Sequence, residues 1–207
     1  HVYRLIEQTA DHFHWDVRKN WTESRGDKPE HNEFGGGHAH VGTMIYQGDN
    51  WPEKYRGKLF TVNMHGLRIN VDRLERLGNS YVSKHDVDFA RTTDIWFRGI
   101  ELVTGNDGGV FLADWSDIGE CHENDGVHRA TGRIYKITYG KPEKPTVADV
   151  AKLATPELVK LLTHKNEWYV RAARRNLQER AEKAADILLR VSPENKTDEA
   201  SKLRTQL

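Results

Sequence analysis

A single cysteine, Cys121, among 207 residues rules out an internal disulfide and leaves no room for a paired-cysteine haem attachment sequence. Excess charge is also missing, since 31 basic residues balance 31 acidic ones. Nucleic acids and anionic membranes select for a basic surplus, so this balance argues against both as partners. No apolar run approaches the roughly 18 residues of a membrane span. An N-terminal signal pattern is lacking too, and the chain opens on His1 rather than Met, which reads as processed or excised from something longer.

Histidine and tryptophan are plentiful but unevenly placed. Ten of 11 histidines and five of six tryptophans precede residue 140. From Lys141 onward the chain turns rich in Ala, Leu, Lys, Arg and Glu, and a linker with two prolines, Pro142 and Pro145, marks the change. Two domains follow from this, residues 1–140 and 141–207.

The first domain reads as short strands at 39–46, 58–64, 67–74, 95–103, 109–115 and 132–139, with a polar Gly-rich loop over 21–37. Trp96 to Trp115 (WFRGIELVTGNDGGVFLADW) has the pattern of a β-propeller blade. Asp107-Gly108 carries turn chemistry, and Val110, Phe111 and Leu112 form a run too short for a helix. Residues 39–90 and 95–139 are similar groups, giving about two blades. A ring needs about four to eight blades, so the fold class is mainly β, the C-terminal part of a larger propeller. The second domain predicts a small helical hairpin. Thr155-Pro156-Glu157 opens one helix with Thr155 as its cap. Asn166 caps a second, read over 167–191, and together they resemble one HEAT-type repeat.

Several clusters carry potential chemistry. His38 and His40 sit two apart, so on a strand their rings share a face suited to a metal or a quinone. The alternative is a pair of polar residues bonded to backbone. Asp114, Asp117, Glu120, Cys121, His122 and Asp125 crowd into 12 residues. Their oxygens suit calcium, and Cys and His suit a softer metal, although EF-hand and CxxC spacings are absent; the alternative is carboxylates bonded to loop amides. Arg98, in an inner strand, needs an anionic partner, whether a cofactor carboxylate or Asp114 or Glu101. His65 and Arg68 flank Gly66 and are expected, with Asn63, to face the central channel of a propeller. His128 and Arg129 read as structural, Cys121 lacks a base to activate it, and Arg174-Arg175 reads as a solvated helix face.

The strings ADHFHW, WTESRGDKPEH, GGGHAHVGTMIYQGDNWPEKYRGKLF, WFRGIEL, DGGVFLADWSDIGECH, DGVHRATGRIYKITYG and HKNEWYVRAARRNLQERA resemble planctomycete and verrucomicrobial proteins labelled membrane-bound dehydrogenases. More distantly, the propeller is similar to soluble glucose/sorbosone and aldose sugar dehydrogenases. The resemblance implies a six-bladed propeller joined to HEAT-like helices, an exported or periplasmic location, and often a c-type cytochrome domain in the same polypeptide. It implies pyrroloquinoline quinone (PQQ) and calcium as cofactors, with hydride transfer from a sugar hydroxyl and a histidine base. Arg98 fits the second of the two arginines that clamp the cofactor, with Trp96 in place of the first, and His65 stands where a lysine is expected. The base falls in an earlier blade.

Two functions follow. The first is a fragment of a sugar or alcohol dehydrogenase, with Arg98, His38, His40 and His65 binding cofactor and Asp114, Asp117, Glu120 and Asp125 holding metal. The second is a non-catalytic module that binds a glycan or protein partner.

Overall fold

The computed structural model describes residues 39–64, 66–117 and 130–180. These residues form eight strands: β1 (His40–Ile45), β2 (Leu59–Asn63), β3 (Arg68–Leu77), β4 (Ser80–His85), β5 (Ala90–Arg91), β6 (Gly99–Thr104), β7 (Val110–Asp114) and β8 (Arg133–Ile137). Two α-helices follow, α1 (Thr155–Leu161) and α2 (Glu167–Glu179). The chain is mainly β, built on two antiparallel sheets. It divides into two compact units. One contains Tyr55–Val103 and Val110–Ile137 together with the stretch that ends at Tyr46; the other contains Gln47–Lys54, Thr104–Gly109 and, of the described residues, 138–180.

In the first unit, β1, β2, β3 and β4 lie side by side in chain order, and β5 pairs with the start of β3. Side chains alternate across a strand, so β2 and β3 each have two faces. Phe60 and Val62 of β2 oppose Val71 and Ile69 of β3, and all four are buried. Phe89 closes this apolar face, its ring 5.7 Å from that of Phe60 and 5.3 Å from that of Tyr55.

The pairing of β1 slips between Val41 and Met44, so β1 carries one residue more than β2 across this interval. Gly42 sits in that bulge at φ +60°, a conformation that costs glycine little. A Cβ there would lie 2.8 Å from the Glu101 Cα.

The order β6-β7-β8 makes the second sheet of this unit. Val110 and Leu112 are buried, whereas Phe111 between them is 39 % exposed. At Gly99 a Cβ would come within 2.4 Å of the Val62 Cγ1 and 2.7 Å of the Phe97 ring. Gly99→Ala is therefore expected to cost about 1–3 kcal/mol, the usual scale of overpacking, read as a lower urea midpoint with an unchanged slope.

The sequence reading ended a strand at Leu74. The structure carries β3 on to Leu77 and adds a hairpin to β4, with Leu77 opposite Ser80. Gly78 takes φ +59° in the two-residue turn, where glycine is favoured. The strands escaped notice because Arg73 to Leu77 and Ser80 to Tyr81 are largely exposed and carry no apolar alternation.

In the second unit, α1 and α2 share a core of Val150, Leu158, Val159, Leu161, Leu162, Tyr169, Ala173 and Leu177. Asn166 caps α2, its side chain accepting from the Trp168 N–H at 3.0 Å. The cap of α1 is Ala154, one residue earlier than expected: Thr155 begins the helix, and the Glu157 carboxylate accepts from the Ala154 N–H at 2.9 Å. Glu157 thus serves the N–H of the cap residue itself, the half of a capping box that runs back from the helix, and no cap side chain accepts from the first-turn amides. Leu158 has no exposed surface. Leu158→Ala is expected to lower stability by about 2–5 kcal/mol, measured as loss of helical ellipticity at lower denaturant.

Candidate functional site

Opposite its apolar face, the first sheet is polar. Its register sets His40 of β1 against Asn63 of β2, Asn63 against Arg68 of β3, and Arg68 against Arg91 of β5. One row of nitrogen-rich side chains thus crosses four strands at the end next to Gly66. Asn63 is wholly buried and Arg68 is 3 % exposed. The next row pairs Thr61 with Asn70, and the third pairs Leu59 with Asp72 and Asp72 with His85.

Buried polar groups are stable only when hydrogen-bonded, and this face is networked. The Asn63 carbonyl oxygen accepts from the Gly66 N–H at 2.7 Å, so its amide NH₂ meets His40 Nε2 at 2.9 Å. That assignment makes Nε2 the acceptor and places the ring proton of a neutral His40 on Nδ1. Arg68 donates from Nε to the Gly66 carbonyl and from Nη1 to Asp88 at 3.0 Å. The other Asp88 oxygen accepts from Asn70 Nδ2 at 2.9 Å. His85 stands between Asp72 and Asp88, at 3.5 and 3.6 Å. Thr61 Oγ1 is buried with no hydrogen-bond partner among the described residues, a costly state for a hydroxyl.

Backbone strain gathers at the same row. Ala39 and Leu67 hold φ of +59° and +52°, and they immediately precede His40 and Arg68. Non-glycine residues in this region cost on the order of 1–3 kcal/mol each and collect at functional sites.

A second polar cluster ties the β6–β7 region together. Asp114, its side chain fully buried, accepts on Oδ1 from the N–H groups of Arg98 (2.8 Å) and Ser116 (2.9 Å). Its Oδ2 pairs with Arg133 Nε and Nη2, at 2.8 and 2.7 Å. Arg133 reaches on to Asp94 at 2.7 Å. The Arg98 guanidinium donates from Nη1 to the carbonyls of Ile95 and Phe97, at 3.0 and 2.7 Å. The Trp96 N–H, followed by Arg133, holds the Asp94 carboxyl below the ordinary 3.8. A depressed carboxylate stabilises the fold above its unfolded pKa, and the gain is lost as pH falls through the lower folded value. With Asp94 36 % exposed, the effect is small. The gap in thermal midpoint between the wild-type protein and Asp94→Asn is expected to close as pH drops below 3.8. A gap that persists at acid pH would contradict the assignment.

Arg98 and Asp114 are both tied into the network of the fold itself. The described guanidinium bonds of Arg98 brace its own segment, and both oxygens of Asp114 are engaged by amides and Arg133. Among the described residues no three His, Cys, Asp or Glu side chains gather to hold a metal. Asp117 is 9 % exposed and its N–H donates to the Trp96 carbonyl. His38, His65, Glu120, Cys121, His122, Asp125, His128 and Arg129 lie outside the described residues. His40, Asn63 and Arg68 do come together. Asp88, Asn70, His85 and Thr61 join them without having been singled out from sequence. For His85 and Asp88 the one local signal is the run His85-Asp86-Val87-Asp88, three polar residues at the end of β4.

No helix among the described residues is long and apolar enough to cross a membrane. A family profile described as a domain of unknown function (DUF7133) matches residues 6–141. No curated protein and no solved structure matches the chain.

Proposed function

The chain belongs to the DUF7133 family, and from that premise we propose that it is part of a sugar or alcohol dehydrogenase whose polar sheet face binds the hydroxylated substrate. The observation that carries this reading is the buried row His40–Asn63–Arg68 with strained backbone beside it. The imidazole, guanidinium and hydroxyl of His40, Arg68 and Thr61 are groups of the kind that recognise a carbohydrate or small alcohol. Asp88 and Asn63 are positioning residues that hold Arg68 and His40 in place.

The two up-and-down sheets support blades of a propeller larger than this chain, and the shared core of α1 and α2 supports a HEAT-like hairpin after it. PQQ and calcium, a c-type cytochrome domain in the same polypeptide, and export to the periplasm belong to the same proposal. The hydride acceptor and the catalytic base would come from outside the described residues. A second reading, a non-catalytic module for a glycan or protein partner, is favoured by one observation: Arg98 and Asp114 are both engaged within the fold.

The test is dye-linked oxidation of a panel of sugars and alcohols by the intact protein supplied with PQQ and calcium. Turnover with a KM raised about tenfold or more in His40→Ala, the scale of one lost hydrogen bond, supports the dehydrogenase. Sugar binding by calorimetry without oxidation leaves the recognition module, and neither binding nor oxidation ends both readings.

A further inference from the structure

The second unit holds a polar pocket of about 210 Å³ that the sheet-face reading does not involve. Asp49, Asn106, Asp107, Tyr139, Glu143 and Thr146 line it, drawn from three loops.

These loops are locked before any ligand arrives. The Asn50 side chain accepts from the Tyr139 N–H at 2.8 Å and donates to the Tyr139 carbonyl at 3.1 Å, imitating a strand pairing. Asn166, fully buried at the start of α2, donates to the Gly105 and Asn106 carbonyls, each at 3.3 Å. Gly108 lets two turns approach: a Cβ there would lie 2.5 Å from the Asn50 nitrogen. A cavity walled by fixed loops loses little entropy when it binds.

Its chemistry selects the ligand. Three carboxylates (Asp49, Asp107, Glu143) line it with two ammonium groups (Lys141, Lys144); Lys165 pairs with Asp49 at 3.6 Å and Asp107 accepts from the Gly109 N–H at 3.2 Å, so no cationic surplus favours a free phosphate or sulfate. Carboxylate acceptors, lysine donors, and the two-way groups of Asn106 and Thr146 match hydroxyls, which donate and accept at once. Tyr139 is 65 % exposed and offers a ring face for a sugar's C–H face. The volume is below the roughly 300 Å³ at which drug-sized sites begin, so a single small ring suits it. We infer that this pocket binds one neutral monosaccharide unit, independently of any site on the first sheet.

Residue-resolved NMR titration of the 207-residue chain with the methyl glycosides of glucose, galactose, mannose and N-acetylglucosamine tests this. Saturable shifts at Asn106 and Thr146 are expected for at least one glycoside. Affinity should fall about tenfold or more in Asn106→Ala and Tyr139→Ala, and hold in Tyr139→Phe, which keeps the ring. His40→Ala should leave these shifts intact, separating the pocket from the sheet-face reading. Tyr139 enters the Asn50 clamp through its backbone, so the alanine variant retains it, and an unchanged urea midpoint verifies the fold. Absence of shifts with all four glycosides, shifts with inorganic phosphate instead, or full affinity in the alanine variants would overturn the inference.

Discussion

Asp114→Ala is expected to lower the stability of the β-rich unit by about 3–5 kcal/mol, seen as a large drop in urea midpoint. The carboxylate has no exposed surface and serves three hydrogen-bond donors, the N–H groups of Arg98 and Ser116 and the Arg133 Nε, with Arg133 Nη2 beside it as an ion-pair contact. Truncation leaves two buried amides without an acceptor and removes one of the two carboxylates that hold Arg133. Asp114→Asn should fall between the two, since its carbonyl still serves the amides while its NH₂ faces a guanidinium. The same experiment addresses calcium. With both Asp114 oxygens engaged, any rise in the wild-type midpoint with millimolar calcium should persist in Asp114→Ala. A rise abolished by Asp114→Ala would make Asp114 a ligand after all.

The second large effect belongs to Arg68 and Asp88. Arg68 is 3 % exposed and Asp88 13 %, with 3.0 Å between their charged groups. Removing either one strands the other charge in a poorly solvated place, at about 3–5 kcal/mol. Arg68→Met and Asp88→Ala should each show this loss, yet the double variant should lose much less than their sum, because neither charge is then orphaned. Additive losses would mean that the two side chains act separately and would remove Asp88 as the group that positions Arg68.

The fold was legible where local chemistry decides it. Asp107-Gly108 announced the β6–β7 hairpin, and Asn166 announced the start of α2. Charged strands were less readable: β4 hides in Ser-Tyr-Val-Ser-Lys-His because its stability comes from pairing with β3, a partner that no local pattern names. The site divides in the same way. Arg98 read as part of an inner strand, but β6 begins only at Gly99, and which atoms its guanidinium meets depends on how the segment before that strand bends. His40, Asn63 and Arg68 looked polar and near a turn in sequence. That they form one row with Arg91 depends on strand register, which is set by packing across the sheet rather than by spacing along the chain.

The bulge at Gly42 gives β1 a parity. With Met44 facing the apolar side beside Phe60, the single extra residue of β1 determines whether His40 counts as odd or even from there. Paired one for one from Met44, without the bulge, β1 would turn His40 to the greasy side of the sheet and set Val41 against Asn63. Deleting one residue between Val41 and Met44 instead removes the surplus and leaves His40 where it is. A substitution that makes the bulge costly, such as Gly42→Val at φ +60°, would exchange an imidazole for an isopropyl group at the polar row while every strand kept its partner, so the fold would pass intact to a descendant that had lost the row.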